Sequence, residues 1–278
     1  MQISYFPKSC ALNSGPVVEA FLHSCRSAGI DVTANSMDAD AAVIWSQLWA
    51  GRMRPNQQVW QHYRQTNRPV IVLEVGTLKR NHTWRVMLNG LHQPLKYHNN
   101  SDRASQFNIS VKPWQHHDGS ILVVLQRSDS NLWHNMPDVQ QWVSQTVSTI
   151  RQYTDRPIVV RPHPRQTVNL AGVEIQTPKM IVDTYDDFDL NDGLTNAYAV
   201  INHNSTGAVQ SVLHGTPTIV SSSSIAAPMA VTDLSQINQL VRPDRTQWIN
   251  DLAWSEWTVE EIAQGIPLQL LNISKTSI

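Results

Sequence analysis

The sequence predicts an α/β protein made of two Rossmann-like halves, and three observations lead to this prediction. Short, uninterrupted apolar runs recur along the chain, as expected of strands buried on both faces of a parallel sheet. Segments with helical spacing separate these runs, and a strand–helix–strand order gives a parallel sheet with crossover helices. The pattern restarts after a polar, His-rich stretch at 86–117. We therefore expect one domain at 1–115 and a second at 116–278.

In the first half, strands and helices alternate. The expected strands are 3–6, 41–45 and 69–73, and the expected helices are 16–28 and 56–66. Gly29 follows the first helix directly, where a glycine commonly ends a helix. Residues 86–117 are expected to be loops and the connection between the halves.

The second half repeats the alternation and adds C-terminal helices. The expected strands are 121–125, 157–160, 199–201 and 218–220, and the expected helices are 139–153, 206–214, 245–253 and 258–264. The helix at 206–214 is expected to stop at Gly215. Thr258 with Glu261 three residues later predicts a capping box at the start of the last helix.

Composition excludes several classes of protein. Of 278 residues, 41% are hydrophobic and 15% are charged, which suits a folded chain with sizeable cores. No apolar run approaches the roughly 18 residues of a membrane span, and residues 1–20 lack the pattern of a secretory signal. Two cysteines cannot form a disulfide framework or a four-ligand zinc site. The expected compartment is the reducing cytoplasm.

The net charge of -1 hides an asymmetry between the halves. Residues 1–115 hold 12 Lys or Arg and 6 Asp or Glu, a charge of +6, and residues 116–278 hold 9 and 16, a charge of -7. The basic residues of the first half are expected in loops and include Arg52, Arg54, Lys79, Arg80, Arg85, Lys96 and Arg103. This excess favours a polyanionic or phosphate-bearing partner. The alternative is an ordinary solvated surface.

Polar segments follow the predicted strands at their carboxyl ends, where α/β folds bind ligands. In the second half these segments contain Gln126 and Arg127, then Arg161, His163 and Arg165, then Asn204, Ser205, Thr206 and Gly207. Arginines suit phosphate, and small residues at a helix start offer backbone N–H groups to an anion. The sequence therefore predicts a phosphate-containing ligand there. In the first half, Glu74 follows a strand in the same way.

Each of these segments also has a purely structural interpretation. Asn204–Thr206 fits a simple helix cap, the prolines around His163 fit a turn, and Glu74 fits a surface pair with Lys79 or Arg80. No GxxxxGK[ST] or GxGxxG motif is present, which argues against a P-loop ATPase and a nicotinamide dehydrogenase. The histidines lack metal-ligand spacing.

Two segments resemble donor-domain motifs of GT-B glycosyltransferases, whose fold is two Rossmann-like domains facing each other across a cleft. They are 158–165 (IVVRPHPR) and 199–220 (AVINHNSTGAVQSVLHGTPTIV). The resemblance is to the capsule polysaccharide, Kdo-transferase-like group and its bacteriophage-encoded relatives. Residues 73–80 (LEVGTLKR) resemble the E-x-G-x-x-x-R segment of the acceptor-side domain, and 245–262 resemble the closing helices of phage-type members.

The resemblance implies an acceptor-side domain at 1–115 and a nucleotide-sugar donor domain at 116–278 that includes the C-terminal helices. It implies that His163 faces the nucleotide and that Ser205, Thr206 and Gly207 face the phosphate. Gln210 stands where the family has a Glu that accepts hydrogen bonds from ribose, which leaves the nucleotide open between UDP- and CMP-linked sugars. No cofactor and no metal are expected, because GT-B enzymes are usually metal-independent and no DxD pair follows a strand.

The mechanism implied is sugar transfer to a hydroxyl. Glu74 is the candidate base if the enzyme inverts, with Asp38, Asp40 and Asp118 as rivals, and the choice between inversion and retention stays open. The favoured acceptor is duplex phage DNA bearing 5-hydroxymethylpyrimidines such as 5-hydroxymethylcytosine, in the host cytoplasm. Its phosphates would meet Arg52, Arg54, Lys79, Arg80, Arg85 and Lys96. Trp45, Trp49, Trp84 and Trp114 are candidates to stack on a flipped base.

Three alternatives remain at this point. In the first, the chain is a glycosyltransferase whose acceptor is a capsule or lipopolysaccharide-type glycan. In the second, it is a non-catalytic nucleotide-sugar-binding module. In the third, it is a sugar-nucleotide epimerase that needs no acceptor.

Overall fold

The computed structural model describes residues 1–90, 102–184 and 187–273 and divides the chain into two compact units. Unit 1 comprises Met1–Arg103, Asp129–Asn131 and Asp251–Ile278. Unit 2 comprises Ala104–Ser128 and Leu132–Asn250. In the described part of the chain, none of the helices is both long enough and apolar enough to cross a membrane.

Up to residue 106, the described part of the chain forms five strands and three α-helices. They are β1 (Gln2–Tyr5), α1 (Gly15–Ser27), β2 (Asp31–Ala34), β3 (Ala41–Trp45), α2 (Asn56–Gln65), β4 (Val70–Val75), β5 (Trp84–Leu88) and α3 (Arg103–Gln106). Helix α1 packs Val17, Phe21 and Cys25 into the core, a spacing that places them on one helix face.

Unit 2 repeats the pattern with shorter strands. Its elements are β6 (Ile121–Val124), α4 (Val139–Ile150), β7 (Ile158–Arg161), β8 (Glu174–Ile175), β9 (Lys179–Met180), β10 (Phe188–Asp189), α5 (Asn191–Leu194), β11 (Ala199–Asn202), α6 (Thr206–His214), β12 (Thr218–Ile219) and α7 (Thr246–Ala253), whose last residues belong to unit 1. The chain then ends its described part with α8 (Val259–Ala263) and α9 (Ile266–Leu270).

Over the described residues, each unit has its own five-stranded sheet. In unit 1 the strand order is β2-β1-β3-β4-β5, with β5 antiparallel to β4 and the other pairs parallel. In unit 2 the order is β12-β11-β6-β7-β8 and every pair is parallel. The strand order therefore reverses next to β1 in unit 1 and between β6 and β11 in unit 2, and ligands of such sheets bind outside the carboxyl ends at these reversals.

These topologies confirm the predicted fold class of two Rossmann-like domains. The strands expected near residues 3, 42, 70, 122, 158, 200 and 218 are all present, with shifts of one or two residues at their ends. Five strands of the described chain were missed: the two-residue strands β8, β9 and β10, and the longer strands β2 and β5, the latter in a stretch expected to begin a loop. Strand β2 lies at the sheet edge with exposed ends and a mixed composition, and β5 carries the charged Arg85, so neither forms a continuous apolar run.

The C-terminal segment packs on unit 1, whereas the sequence analysis grouped it with 116–278. Trp257 forms an antiparallel bridge with Trp84 of β5, through hydrogen bonds of 2.8 and 2.9 Å between their backbones. Its side chain is fully buried in the unit 1 core together with Ile262 and Leu268. Sequence patterning shows that these residues need a core, but does not say which of two cores receives them.

Arg103 fastens this segment to unit 1. Its guanidinium donates to the carbonyls of Ala253 and Glu256 at 2.8 and 2.7 Å, and forms an ion pair with Glu261 at 2.9 Å. It also lies over the ring of Trp254, with 4.6 Å between the guanidinium carbon and the ring centroid. Arg103 is buried, so it is not one of the surface loop cations that the sequence analysis described.

Candidate functional site

The loops at the strand-order reversal of unit 2 are tied together by side chains. Gln126 follows β6, and its Oε1 accepts a hydrogen bond of 3.1 Å from the backbone N–H of Asn204, which follows β11. Asn202, at the end of β11, donates from Nδ2 to the carbonyl of Val124 at 2.9 Å. Ser128 donates to Gln166 of the β7 loop at 3.1 Å. The predicted segments after β6, β7 and β11 therefore meet at one edge of the sheet.

The N-terminus of α6 opens onto this edge. Ser205 is the N-cap residue, but its hydroxyl accepts from Asn202 Nδ2 at 2.7 Å, and among the described residues no side chain caps the helix. The Ala208 N–H donates to the Ser205 carbonyl at 3.1 Å, and the N–H groups of Thr206 and Gly207 in the first turn keep their capacity to bind an anion. Gly207 belongs to this turn, and a Cβ there would lie 3.1 Å from Val124 Cγ1. The Ser205 side chain therefore does not form the simple helix cap considered as its structural alternative.

Asn204 has one unsatisfied polar atom at this edge. The residue is 6% exposed, and its Nδ2 donates to the Ser223 hydroxyl at 3.2 Å. Its Oδ1 has no hydrogen-bond partner in the described structure. A buried carbonyl oxygen left without a donor costs free energy, so such atoms in native proteins call for an explanation.

His203 is held beside Asn204 by two tryptophans. Its ring centroid lies 5.0 Å from that of Trp133 and 6.2 Å from that of Trp142, both edge to face. Burial lowers the pKa of the His203 imidazole below its ordinary value, so the ring is neutral at pH 7. These contacts fix the loop between β11 and α6.

The β7 loop provides the other predicted donor-site residues, with different degrees of exposure. Arg161 is buried: its guanidinium donates to the Gln176 side chain at 3.1 Å and to the Asp189 carbonyl, and burial lowers its pKa. Arg165 is exposed and His163 is half-buried. The Arg165 N–H donates to His163 Nδ1 at 3.1 Å, so the neutral ring carries its proton on Nε2. Arg161 was predicted to bind phosphate, whereas its buried guanidinium holds the segment at Asp189.

The remaining predicted donor-site residues also lie at this edge of unit 2. Arg127 is half-buried directly after Gln126. Gln210 is half-buried on α6, one turn after Thr206, which is exposed.

In unit 1, Glu74 lies opposite Arg85 in the β4–β5 pair. Glu74 is partly exposed and its Oε1 accepts from the Val75 N–H at 2.8 Å. Arg85 is 4% exposed in β5, where burial lowers its pKa and the Glu256 and Glu74 carboxylates oppose that effect. Arg85 was predicted to be a loop residue that contacts DNA. This prediction is wrong as to its place, because its guanidinium is buried beside two carboxylates.

The other predicted acceptor-side residues are spread over unit 1. Arg52 and Arg54 are exposed in and after a short 3-10 helix (Gly51–Met53), and Lys79 and Arg80 are partly exposed after β4. Lys96 lies outside the described residues. Among the rival bases, Asp40 accepts from the Gln2 N–H at 2.7 Å, and Asp118 of unit 2 pairs with Arg156 at 3.1 Å. Asp38 is exposed.

The four tryptophans proposed to stack on a base are not equivalent. Trp45 and Trp84 are buried core residues of unit 1, with ring centroids 5.9 Å apart. In unit 2, Trp114 lies against the Arg245 guanidinium at 4.2 Å. Trp49 is half-buried in the loop after β3. Trp45 and Trp84 are therefore corrected to packing residues.

Sequence reasoning missed Glu256, which organises the loop after β4. Glu256 is 1% exposed, and its Oε1 accepts from the Thr77 N–H and hydroxyl at 2.5 and 2.6 Å. Its Oε2 accepts from the Thr83 hydroxyl at 2.5 Å. A Cβ on Gly76 would collide with the backbone carbonyl oxygen of Thr83 as well as approach Glu256 Oε2, so the glycine is required by this close approach. Local sequence carries no signal for a contact between residues 179 positions apart.

Metal binding has no obvious site in the described part of the chain, where no group of three His, Cys, Asp or Glu side chains lies close enough to hold an ion.

Comparison with known proteins gives structural similarity only. No protein-family model and no curated protein sequence matches the chain. Among solved structures, it is similar to the β-Kdo 2,7-transferase of Thermosulfurimonas dismutans KpsC, with a TM-score of 0.57, 14% identity, and coverage of 97% of this chain and 100% of that one. It is also similar to the β-Kdo 2,4-transferase of the same protein, with a TM-score of 0.50, 12% identity, and coverage of 95% and 98%.

Proposed function

We propose that the chain is a glycosyltransferase that moves a sugar from a nucleotide-sugar donor to a hydroxyl acceptor. The observation that carries the proposal is the edge of unit 2 where the uncapped N-terminus of α6 meets the nine-tenths-buried Asn204, whose Oδ1 has no partner in the described structure. A helix N-terminus binds anions, and the strand-order reversal is where such sheets bind nucleotides. The shared fold of the KpsC transferases supports the reaction class.

Within this proposal, each group has a defined role toward the donor. The first-turn N–H groups of α6, at Thr206 and Gly207, bind the phosphate next to the sugar. His163 donates from Nε2 to the nucleotide, because its Nδ1 is occupied by the Arg165 N–H. Arg165 and Arg127 add positive charge near the phosphates. Gln210 lies on α6 where it would accept from a ribose hydroxyl, and Arg161 positions the segment at Asp189.

The reaction follows from this charge distribution. The acceptor oxygen forms a bond with the anomeric carbon, while the bond from that carbon to the phosphate oxygen breaks. The electron pair leaves with the phosphate, whose growing negative charge is stabilised by the α6 N-terminus and the cations. The acceptor proton passes to a general base, for which Glu74 remains our candidate if the anomeric configuration inverts.

Donor binding is tested with a matched pair at Thr206, the first residue of α6. Thr206→Pro removes one backbone N–H at a position where helices tolerate proline, whereas Thr206→Ala keeps that N–H. We expect Thr206→Pro to weaken binding of the best UDP- or CMP-linked sugar by about tenfold and Thr206→Ala to change it less. CMP-Kdo belongs in the panel because the similar structures are Kdo transferases. Absence of binding to every donor in titration calorimetry would reject the proposal.

The acceptor is proposed to be 5-hydroxymethylpyrimidine DNA, which the exposed Arg52 and Arg54 support by their charge. The alternative acceptor is a capsule or lipopolysaccharide-type glycan. Unmodified DNA, 5-hydroxymethylcytosine DNA, 5-hydroxymethyluracil DNA and glycan oligosaccharides would each be incubated with the donor and examined for a sugar mass increment. An increment on one modified base establishes DNA transfer, and an increment only on the glycan rejects it.

The role of the two arginines has its own control. If DNA is the acceptor, Arg52→Ala with Arg54→Ala lowers DNA transfer and weakens its dependence on salt, because fewer phosphates are neutralised. Arg151→Ala, an exposed change in unit 2, is expected to leave transfer unchanged. If Arg151→Ala lowered DNA transfer as much as the double change at Arg52 and Arg54, these two arginines would have no specific role in acceptor binding.

A further inference from the structure

We infer that Asn204 and Ser223 bind a hydroxyl of the donor's sugar, which extends the donor site to the loop after β12. The inference rests on the proposed function, because it assumes a nucleotide-sugar ligand in unit 2. Neither the fold similarity nor the sequence motifs assign Ser223, and Asn204 was predicted to bind the phosphate.

The chemistry of the unsatisfied atom argues against phosphate at Asn204. Oδ1 is an acceptor, so the group that satisfies it must carry an O–H or N–H. Phosphate oxygens of a nucleotide sugar are ionised near neutral pH and are acceptors themselves. A sugar hydroxyl both donates and accepts, so it can donate to Asn204 Oδ1 while accepting from the Ser223 hydroxyl.

The order of the strands places this pair at the sugar end. In the sheet order β12-β11-β6-β7, the His163 loop follows β7 and the α6 N-terminus follows β11. Ser223 follows β12, on the far side of β11 from β7. If the nucleoside lies toward His163 and the phosphates lie at α6, the part of the donor beyond the phosphates lies toward Ser223.

Neighbouring contacts hold Asn204 in place, so that its Oδ1 does not reach a hydrogen-bond donor by a small movement of the side chain. Its backbone N–H is held by Gln126, and its Nδ2 is held by Ser223. Ser223 is in turn 2.9 Å from the Ser221 hydroxyl, and the Ser221 N–H donates to the His203 carbonyl at 2.9 Å. The oxygen itself is buried, so a ligand hydroxyl reaches it when the exposed Ser223 side chain turns aside, and the held amide then offers it in a fixed position.

The test compares a nucleotide sugar with the same nucleotide lacking the sugar. Titration calorimetry would use the tightest donor of the UDP and CMP panel and its free nucleotide, with wild type, Asn204→Ala and Ser223→Ala. We expect each variant to weaken binding of the nucleotide sugar by about tenfold and binding of the free nucleotide by less than about twofold. Ser222→Ala, an exposed neighbour in the same loop, is the matched control and is expected to bind both ligands as wild type does.

The other outcomes overturn the inference in distinguishable ways. Equal weakening of both ligands would assign Asn204 to the nucleotide or phosphate. No weakening of either would mean that a buried water satisfies Oδ1. Failure of the wild-type protein to bind any panel member would reject the proposed function itself. Should Asn204→Ala not fold, Ser223→Ala still decides, because Ser223 is exposed and its side chain is not part of a core.

Discussion

Individual buried polar residues in this chain act as organisers of loops rather than as surface charges. Glu256 accepts hydrogen bonds from both the backbone and the hydroxyl of Thr77 and from the Thr83 hydroxyl, and its charge faces the buried Arg85. These hydrogen bonds hold the loop that carries Lys79 and Arg80. A buried carboxylate is tolerated here because it is paired and hydrogen-bonded.

The first prediction concerns removal of this carboxylate. Glu256→Ala is expected to lower the free energy of unfolding by about 3–5 kcal/mol. The change removes the acceptor of the Thr77 and Thr83 hydrogen bonds and the carboxylate that opposes the charge of the buried Arg85. Glu256→Gln keeps the shape and is expected to cost about 1–3 kcal/mol. Urea unfolding would measure both, with the exposed Glu174→Gln as a control that changes stability by less than about 0.5 kcal/mol. Near-equal stability of all three variants would contradict the role of Glu256.

A second prediction follows from the lowered pKa of His203. The unfolded chain protonates this imidazole near its ordinary value of about 6.5, whereas the folded chain resists protonation, so the unfolded state binds more protons below that pH. Stability is therefore full above pH 6.5 and falls as the pH drops toward the folded pKa. His203→Phe, which keeps an aromatic ring, is expected to lose less stability between pH 7 and pH 5 than wild type.

Thermal midpoints across that pH range would test this, with His134→Phe as the exposed control. Burial and the neighbouring Lys112 and His117 also lower the pKa of His214, so some acid sensitivity is expected to persist in the His203 variant. Identical pH profiles for wild type and His203→Phe would show that His203 does not contribute to the loss of stability at acid pH.

At the scale of elements, helix ends combine local geometry with tertiary contacts. Gly29 follows α1 with φ of 73°, and Gly215 follows α6 with φ of 86°, so both occupy the left-handed region that favours glycine. Their surroundings differ. A Cβ on Gly29 meets nothing within 4 Å among the described residues, while a Cβ on Gly215 would lie 2.0 Å from the Pro113 carbonyl oxygen.

The third prediction uses these two glycines as a matched pair. Gly29→Ala carries only the backbone penalty and is expected to destabilise by about 1 kcal/mol. Gly215→Ala adds a collision with backbone and is expected to destabilise by about 3 kcal/mol or more. Denaturant unfolding of both variants measures the difference. If Gly215→Ala cost no more than Gly29→Ala, the close approach of residue 113 to α6 would be wrong.

At the scale of the whole molecule, the chain contributes its C-terminal segment to unit 1. Trp257 is buried in the unit 1 core and its backbone pairs with Trp84, whereas Trp248 of unit 2 donates from its indole to the Ile225 carbonyl at 2.9 Å. The two tryptophans are nine residues apart, yet they stabilise different units.

The fourth prediction tests this division. Trp257→Ala is expected to cost unit 1 about 3–5 kcal/mol and to speed amide hydrogen exchange in β1, β3 and β4. Trp248→Ala is expected to speed exchange in the β6–β11 region instead. Exchange read by mass spectrometry of peptides separates the two units without assuming two-state unfolding. Acceleration of β6 and β11 by Trp257→Ala alone would contradict the assignment of the segment to unit 1.

The sequence by itself determined the fold class, the α6 segment and the local helix signals. Continuous apolar runs predict buried parallel strands, and the Thr258–Glu261 capping box is present because both of its hydrogen bonds are local. The donor-side segments converge because parallel strands bring their carboxyl ends to one edge. These features depend on the order and spacing of nearby residues, which the sequence states directly.

Only the tertiary structure decided which charges are buried and which core each distant segment joins. Arg85 and Arg161 are of a residue type that is usually exposed, but the folded chain buries both of them against residues far along the sequence. Strand β5 was hidden because a charge interrupts its apolar run, and that charge is stabilised by Glu256, 171 positions later. Such pairings are set by the competition between burial and charge compensation in the folded chain, which no local window of sequence contains.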